Sequence, residues 1–438
     1  MNARQGSIGS RGIPRRVETN STHSAAAIED RGLLAALSGL PALLSSAPHR
    51  MMFFGGATAV LLSMLWWACF LGAGFFGHAF PAPPIPAGWA HAMLTQYGML
   101  AFFIFGFLLT VFPRWTNQPA LERRDYVPVF AGLFGGYLLA HLGLLGSKAA
   151  LVAGFVAMLG GWAIGLSRLG GILWRNGGRD RHAVSCALAL SCGAIGLVLF
   201  IAYLAGAPWW LATVAIKAGT FAFLLPIFFT VCHRMIPFFS ANVVGATYRV
   251  VRPSWSLALV WPLALAHLGL ELGHRFDATW PVDTLLAGVF LWHALAWQPW
   301  KCRRPGLLAA LHLAFAWLPV AFALFALQSA RLWFDGVFVL GRAPVHALTV
   351  GFFGSMLVAM VTRVTQGHSG RPLQMGAIPW LTFALLQLVV LVRIGAEVSQ
   401  ATPAWLVVAA FGWLLAFAPW ALRSLWIYLT PRADGNPG

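Results

Sequence analysis

The stretch PVHALTVGFFGSMLVAMVTRVTQGHSGRP, residues Pro344 to Pro372, indicates both the fold and the function of this chain. His346 opens an apolar run of helical length, and a glycine-rich cationic segment with His368 closes it. Because about 20 apolar residues cross a bilayer, the run predicts a membrane-spanning helix. His346 would lie just inside one face of the membrane and His368 just outside the other. A histidine in a membrane helix indicates a functional group, and the alternative is a histidine that hydrogen-bonds two helices together.

The composition of the chain excludes a soluble globular protein. Of its 438 residues, 59% are hydrophobic and 9% are charged, and the mean hydropathy is +0.75. Soluble domains carry about a quarter charged residues. The formal net charge of +17 would suggest nucleic-acid binding in a soluble protein, but here the lysines and arginines lie in short segments between apolar runs. The five cysteines show neither CxxC nor zinc-type spacing. We predict an all-α polytopic membrane protein that is surrounded by a lipid bilayer and binds no nucleic acid.

Apolar runs separated by short segments rich in Pro, Gly or Arg predict about twelve membrane-spanning helices. They are residues 52–77, 92–112, 127–146, 149–167, 182–205, 208–231, 254–272, 281–298, 306–328, 343–362, 376–396 and 402–427. A cytosolic N-terminus places most Arg and Lys residues in cytosolic loops, as is typical of membrane proteins. This pattern predicts two cytosolic termini, a disordered tail over residues 1–48, a membrane domain over residues 49–428 and a short tail over residues 429–438.

Two histidines that this topology places near the outer face stand at similar depth. His91 opens the second predicted span and His346 opens the tenth. Neutral imidazole is a common ligand of haem iron and of copper, and helical bundles build cofactor sites from facing helices. The two side chains could bind one haem from opposite sides, or each could only bridge helices. Arg393, with Glu397 one turn later in the eleventh span, is a candidate partner for haem propionates.

A second polar group near the outer face contains His267 and Glu271, one helical turn apart in the seventh span. The pair could hold an additional metal ion or orient a ligand, or the two side chains could only satisfy each other. Lys217 lies deep in the sixth span, and it predicts a polar pocket or an acceptor that the sequence does not identify.

Two segments on the predicted cytosolic side carry more specific residue types than a spacer needs. They are CHRMIPFFS, residues Cys232 to Ser240, and TRVTQGHSGRP, residues Thr362 to Pro372, and both are predicted to be loops. Their charged and imidazole side chains could bind an anion or a partner, or could anchor helix ends at the membrane surface. These side chains are His233, Arg234, His368 and Arg371.

These segments resemble the sequence motifs of the NnrS family. The block RMIPFF, which includes Pro237, is similar to one motif, and the block that runs from HALTVG through Arg363 to GHSGRP is similar to another. A third similarity covers HAMLTQYGMLAFFIFGFLLTVFPRW, residues His91 to Trp115. The resemblance implies a haem- and copper-containing protein of the bacterial inner membrane that takes part in the nitric oxide response and protects against nitrosative stress.

With this resemblance, the leading interpretation is a haem protein that binds nitric oxide or a related small ligand, or passes electrons. His91 and His346 are its candidate haem and metal ligands, Arg393 is a cofactor-binding residue, and His267 is an additional metal ligand. Family members often read Trp-His-Ala-His-Glu where this chain has Trp-Ala-His-Ala at residues 89–92, so a possible histidine ligand and a carboxylate are missing here.

Two other functions stay open from the sequence, which identifies no catalytic residue. Twelve spans is a common number for secondary transporters, but residues 50–240 and 250–428 show no internal repeat, and acidic residues lie mostly at span ends. A membrane scaffold would act through the TRVTQGHSGRP segment rather than through the histidines. Terminal haem-copper oxidases also have twelve spans, but the seventh span here lacks a pair of adjacent histidines, which argues against oxygen reduction.

Overall fold

The protein is an all-helical bundle in a computed structural model that describes residues 39–399 and 401–435. Within these ranges, twelve helices have 17 residues or more. They are α1 Pro48–Phe76, α2 Ala87–Trp115, α3 Arg123–Gly143, α4 Lys148–Arg175, α5 Arg181–Leu204, α6 Trp210–Thr247, α7 Trp255–Leu272, α8 Trp280–Ala296, α9 Gly306–Asp335, α10 Ala343–His368, α11 Ala377–Ala396 and α12 Thr402–Tyr428. Eleven are long and apolar enough to cross a membrane, and α8, with 17 residues, lies at the short end of that range.

The prediction of a multi-pass helical membrane fold is confirmed. Each predicted apolar run corresponds to one helix, although several helices extend beyond the predicted ends. The orientation of the helices across the membrane stays a prediction. The predicted N-terminal tail lies largely outside the described residues.

The prediction that residues Cys232 to Ser240 form a loop is wrong, because this segment continues α6 without a break. The helix reaches Thr247 and has 38 residues, so it is about 57 Å long and exceeds the hydrocarbon core of a bilayer. Ile236 and Phe239 are buried against the bundle, which keeps this part helical although Pro237 lies inside it. The same loop prediction for Thr362 to Pro372 is wrong for Thr362 to His368, which form the last two turns of α10, and residues 369–372 follow outside the helix.

Three helices form the centre of the bundle. The apolar stretches of α2, α10 and α6 are 89%, 78% and 67% buried, compared with 28% to 61% for the other helices that could span a membrane. The outer helices pack around them, with α3 against α4, α8 against α9 and α11 against α12, and α12 returns to pack against α1. A helix that is apolar on all sides, such as the LAFFIFGFLL part of α2, is stable only in such a buried position.

Each central helix contains a π-helical segment: Leu94–Met99 in α2, Gly219–Leu224 in α6 and Ala347–Gly354 in α10. π-helical turns are rare and often mark functional sites. In all three helices the segment begins within three residues after an ionisable side chain, namely His91, Lys217 and His346. Two π segments also meet, since Nε2 of Gln96 donates a hydrogen bond to Oγ1 of Thr220 at 2.9 Å.

Helices α3 and α4 approach so closely that their backbones are in contact. A Cβ atom at Gly161 would lie 2.6 Å from the backbone nitrogen of Leu133, and one at Gly136 would lie 2.5 Å from the carbonyl oxygen of Gly154. Small residues allow this type of packing in membranes, where van der Waals contact between helices replaces the hydrophobic effect.

We expect Gly161→Ala to lower the stability of the bundle by about 2 kcal/mol, because the added methyl group forces α3 and α4 apart. The matched control is Gly160→Ala, since the neighbouring position in α4 has nothing within 4 Å of a Cβ atom. Thermal denaturation of the two purified variants in the same detergent measures the difference. Equal melting temperatures for both variants would contradict the close contact.

Candidate functional site

The structure brings His91 and His346 together at the beginnings of α2 and α10. The two rings are close enough that their charges would repel each other if both were protonated. Nδ1 of His346 donates a hydrogen bond to the carbonyl oxygen of Arg342 at 2.9 Å. Because Nδ1 must carry the proton in this contact, the lone pair of Nε2 is available to a ligand.

The ring of His91 is held by aromatic packing. It stacks on the Trp67 indole of α1, with 4.5 Å between ring centroids and 16° between ring planes. Its Nδ1 atom is buried and has no hydrogen-bond partner among the described residues. A buried imidazole nitrogen without a partner is costly, and this favours a role for the ring other than packing.

Two arginines surround this pair of histidines with positive charge. Arg393 and Arg342 both lie within electrostatic range of His91 and of His346. Nη1 of the buried Arg393 lies 2.6 Å from Oε1 of Glu397, one turn later in α11. One carboxylate does not neutralise two guanidinium groups, so an anionic group beside the histidines would be stabilised here.

His267 belongs to a second group, which joins α6, α7 and α8. Its Nδ1 atom lies 2.6 Å from Oδ1 of Asp283, and its Nε2 atom lies 3.6 Å from Oε1 of Glu271. The other carboxylate oxygen of Glu271 accepts a hydrogen bond from Nζ of Lys217 at 2.7 Å. The structure therefore identifies Glu271 as the acceptor for Lys217 that the sequence left unknown.

The second group has a net negative charge when His267 is neutral, so one more cation would balance it. Lys217 balances one of the two carboxylates, so a neutral imidazole leaves one negative charge in a region where His267 and Asp283 are fully buried. Either a proton or a metal ion on Nε2 of His267 would neutralise it. The carboxylate on Nδ1 is typical of the residues that orient metal-binding histidines. No group of three or more His, Cys, Asp and Glu side chains in the described part of the chain is arranged to hold a metal ion.

Sequence reasoning missed Asp283. It lies in the first turn of α8, where an acidic residue normally stabilises the positive end of the helix. Because an acidic residue is common at this position, it does not by itself indicate a contact with His267. The other indication in the sequence was that Asp283 lies inside a predicted membrane span, where an acidic side chain is unusual.

The residues of the RMIPFF motif lie far from both groups. Along α2 alone, His91 and Trp115 are separated by about 36 Å. The Arg234 guanidinium stacks on the Trp115 ring of α2, 4.3 Å from its centroid, and Nη1 lies 2.7 Å from Oδ2 of Asp180. Nδ1 of His233 lies 3.0 Å from Nε2 of His182. These contacts attach α6 to α2 and α5.

The motif of α10 is attached to its neighbours in the same way. The Arg363 guanidinium stacks on Phe239 of α6, 3.9 Å from the ring centroid. Pro237 is buried inside α6. The His368 ring contacts the His49 ring of α1, with 4.0 Å between centroids. What His368 and Arg371 bind stays a prediction.

A cavity of about 60 Å³ lies between the three central helices, away from the polar groups. Its lining consists of Cys232 and of apolar side chains that are largely buried, among them Phe103 and Leu108 of α2, Ile227 of α6 and Met356 and Met360 of α10. An apolar cavity of this size is typically dry and accepts small uncharged molecules.

The fold and these sites define a multi-pass membrane protein with buried ionisable groups between its central helices. The chain belongs to the NnrS family, because the model of that family, described as NnrS protein, matches residues 43–432. No curated protein matches the chain.

We expect Lys217→Met to lower the free energy of unfolding by about 3 kcal/mol, because it leaves the largely buried Glu271 carboxylate, 13% exposed, without its cation. Adding Glu271→Gln should recover part of the loss. The control is Arg331→Met, which breaks an exposed pair at 2.8 Å to Asp335 and should cost less than about 1 kcal/mol. Denaturant unfolding of the purified variants measures each effect, and equal losses for Lys217→Met and Arg331→Met would argue against a buried charge network.

Proposed function

We propose that the protein binds haem between α2 and α10, with His91 and His346 as iron ligands, and that it serves the bacterial response to nitric oxide. The observation that carries this proposal is the pairing of the two imidazoles beside Arg393 and Arg342. Membership of the NnrS family supports it. The bacterial inner membrane as location and protection against nitrosative stress as role are parts of the same proposal.

The residues present suit a haem held from two sides. His346 has its proton on Nδ1 and a free lone pair on Nε2, which is the tautomer that binds iron. The Arg342 carbonyl that accepts this proton also fixes the ring orientation. Trp67 stacks on one face of the His91 ring and holds it in place. Arg393 and Arg342 are suited to neutralise the propionates.

When bound at this position by both imidazoles, haem would supply electron transfer, and it would bind nitric oxide or a related small ligand only if one of the two imidazoles left the iron. The apolar cavity between the central helices suits such an uncharged ligand. The protein residues would hold the iron ligands in place, neutralise the propionates and keep the surroundings dry.

We also propose His267 as the ligand of a second metal ion, for which copper is the candidate. Glu271 would be a second donor, because 3.6 Å between its Oε1 atom and Nε2 of His267 fits two ligands of one metal ion at about 2.0 to 2.2 Å. Asp283 would orient the ring through Nδ1. A proton on His267 is the competing occupant, since it balances the same charge.

We expect His91→Ala and His346→Ala each to change or abolish the haem absorption bands of the purified protein, because each variant removes one iron ligand. The measurement is the reduced-minus-oxidised spectrum, with haem content determined on the same sample and nitric oxide added at the end. His312→Ala is the control, since this buried histidine of α9 lies near Ser240 and away from the proposed site. Unchanged spectra in both ligand variants would rule out the assignment, and wild-type protein that lacks haem despite ample supply would rule out the proposal.

We expect Asp283→Asn to lower copper affinity about 10- to 100-fold, because His267 loses the carboxylate that orients it. His267→Ala should remove the metal altogether. Copper per protein, measured after equilibration with limiting metal, tests both variants. Asp277→Asn is the control, because this exposed side chain pairs with Arg275 instead. Copper content that is unaffected by Asp283→Asn and His267→Ala would favour the proton.

A further inference from the structure

The GHSGRP segment after α10 packs against the C-terminal end of the chain. The backbone nitrogen of Ala433 donates a hydrogen bond to the carbonyl oxygen of Ser369 at 3.0 Å. Gly370 faces the Asp434 carboxyl group so closely that a Cβ atom has no space there. Oγ1 of Thr365 and the Tyr428 hydroxyl are 2.6 Å apart. These contacts hold the segment in a defined position at one end of the bundle.

Positively charged side chains from five parts of the chain meet around this segment, and we call them the basic cluster. They are Arg50 of α1, Arg114 of α2, Arg371 of the GHSGRP segment, Arg423 of α12 and Arg432 of the C-terminal segment. Arg371 is close enough to Arg50 and to Arg423 for their charges to repel. Arg114 and Arg432 lie within the same range of the rings of His49 and His368, which are in contact.

Within residues 39–399 and 401–435, only one of these guanidinium groups forms an ion pair with a carboxylate. Arg432 forms an ion pair with Asp434 at 2.6 Å. Arg50 donates hydrogen bonds to the backbone carbonyl groups of Tyr428, at 2.8 Å, and of Thr430, and neither acceptor carries a charge. Nη1 of Arg371 is buried and has no hydrogen-bond partner among the described residues.

Without a ligand, this arrangement of guanidinium groups destabilises the folded protein. Like charges repel strongly near an apolar interior, where the effective dielectric constant is low. A buried donor without an acceptor adds a further penalty. An oxyanion would remove both costs, because the planar guanidinium group presents paired donors that match the oxygens of a phosphate.

We propose that the basic cluster is a binding site for a phosphate-type oxyanion, with Arg371 as its main ligand and Arg50 and Arg423 beside it. The site lies at the ends of α10 and α12 and the beginning of α1, where a helical bundle meets the polar surface of a membrane. The anion is the phosphate of an anionic lipid headgroup or free inorganic phosphate, which present the same chemistry. Basic pockets between helix ends commonly bind such headgroups. The proposal does not depend on haem or copper.

The test compares the melting temperature of the full-length protein under three additions. These are inorganic phosphate, phosphatidylglycerol in the detergent micelle, and phosphatidylcholine in the same amount as a zwitterionic control. A ligand that binds only the folded protein raises its melting temperature in a concentration-dependent way. We expect phosphate or phosphatidylglycerol to stabilise the wild type more than phosphatidylcholine does.

Arg371→Gln should raise the half-saturating concentration of the effective anion at least tenfold. Arg175→Gln is the control, because Arg175 is an exposed arginine at the last residue of α4 and lies outside the basic cluster. If Arg371→Gln does not fold, Arg423→Gln gives the same comparison. Stabilisation by phosphate alone identifies the free anion, and stabilisation by phosphatidylglycerol alone identifies the headgroup.

The proposal is overturned if neither anion stabilises the wild type, or if the cluster variant and Arg175→Gln respond alike. Haem and metal content, measured on the same samples, should be unchanged by Arg371→Gln. The anion-binding result can therefore be interpreted even if the haem proposal fails, and the haem result can be interpreted even if the anion-binding proposal fails.

Discussion

Ionisable side chains inside an apolar helical bundle need a partner, because an isolated charge there loses its hydration without compensation. This constraint determines how α6, α7 and α8 meet. Lys217 pairs with Glu271 on α7, and Asp283 on α8 meets His267. Displacement of any of these helices would leave a buried charge alone. The same constraint applies at α11, where Arg393 and Glu397 form an ion pair one turn apart.

The π-helical segments show how the three central helices accommodate their ionisable residues. Each segment follows an ionisable residue in α2, α6 or α10, and a π turn changes the angular position of every residue after it. The polar side chain and the apolar part of the same helix can therefore face different neighbours. The hydrogen bond between Gln96 and Thr220 joins two of these segments directly.

The two ends of the central helices carry different groups of polar residues. One end carries His91 and His346 with their arginines, where the residues suit a cofactor. The other end carries the RMIPFF motif and the C-terminal part of the motif in α10, whose residues join neighbouring helices through Arg234 on Trp115 and Arg363 on Phe239. Arg371 differs from these motif residues, since its buried donor lacks a protein partner among the described residues. Similarity of the motifs alone does not distinguish residues that hold helices together from residues that are free to bind a ligand.

The membrane class, the approximate number of spans and the contacts within one helical turn can be predicted from the residues alone. Composition and apolar length are sufficient for the first two, and the pairs His267 with Glu271 and Arg393 with Glu397 follow from helical periodicity. Which distant residues meet depends on the packing of the helices. His49 and His368 lie in the first and tenth helices, and Arg50 reaches backbone groups that follow it by 378 and 380 residues. Such contacts depend on how twelve helices pack, and one-dimensional patterns do not encode that packing, because every membrane-spanning helix satisfies the same requirement for apolar length.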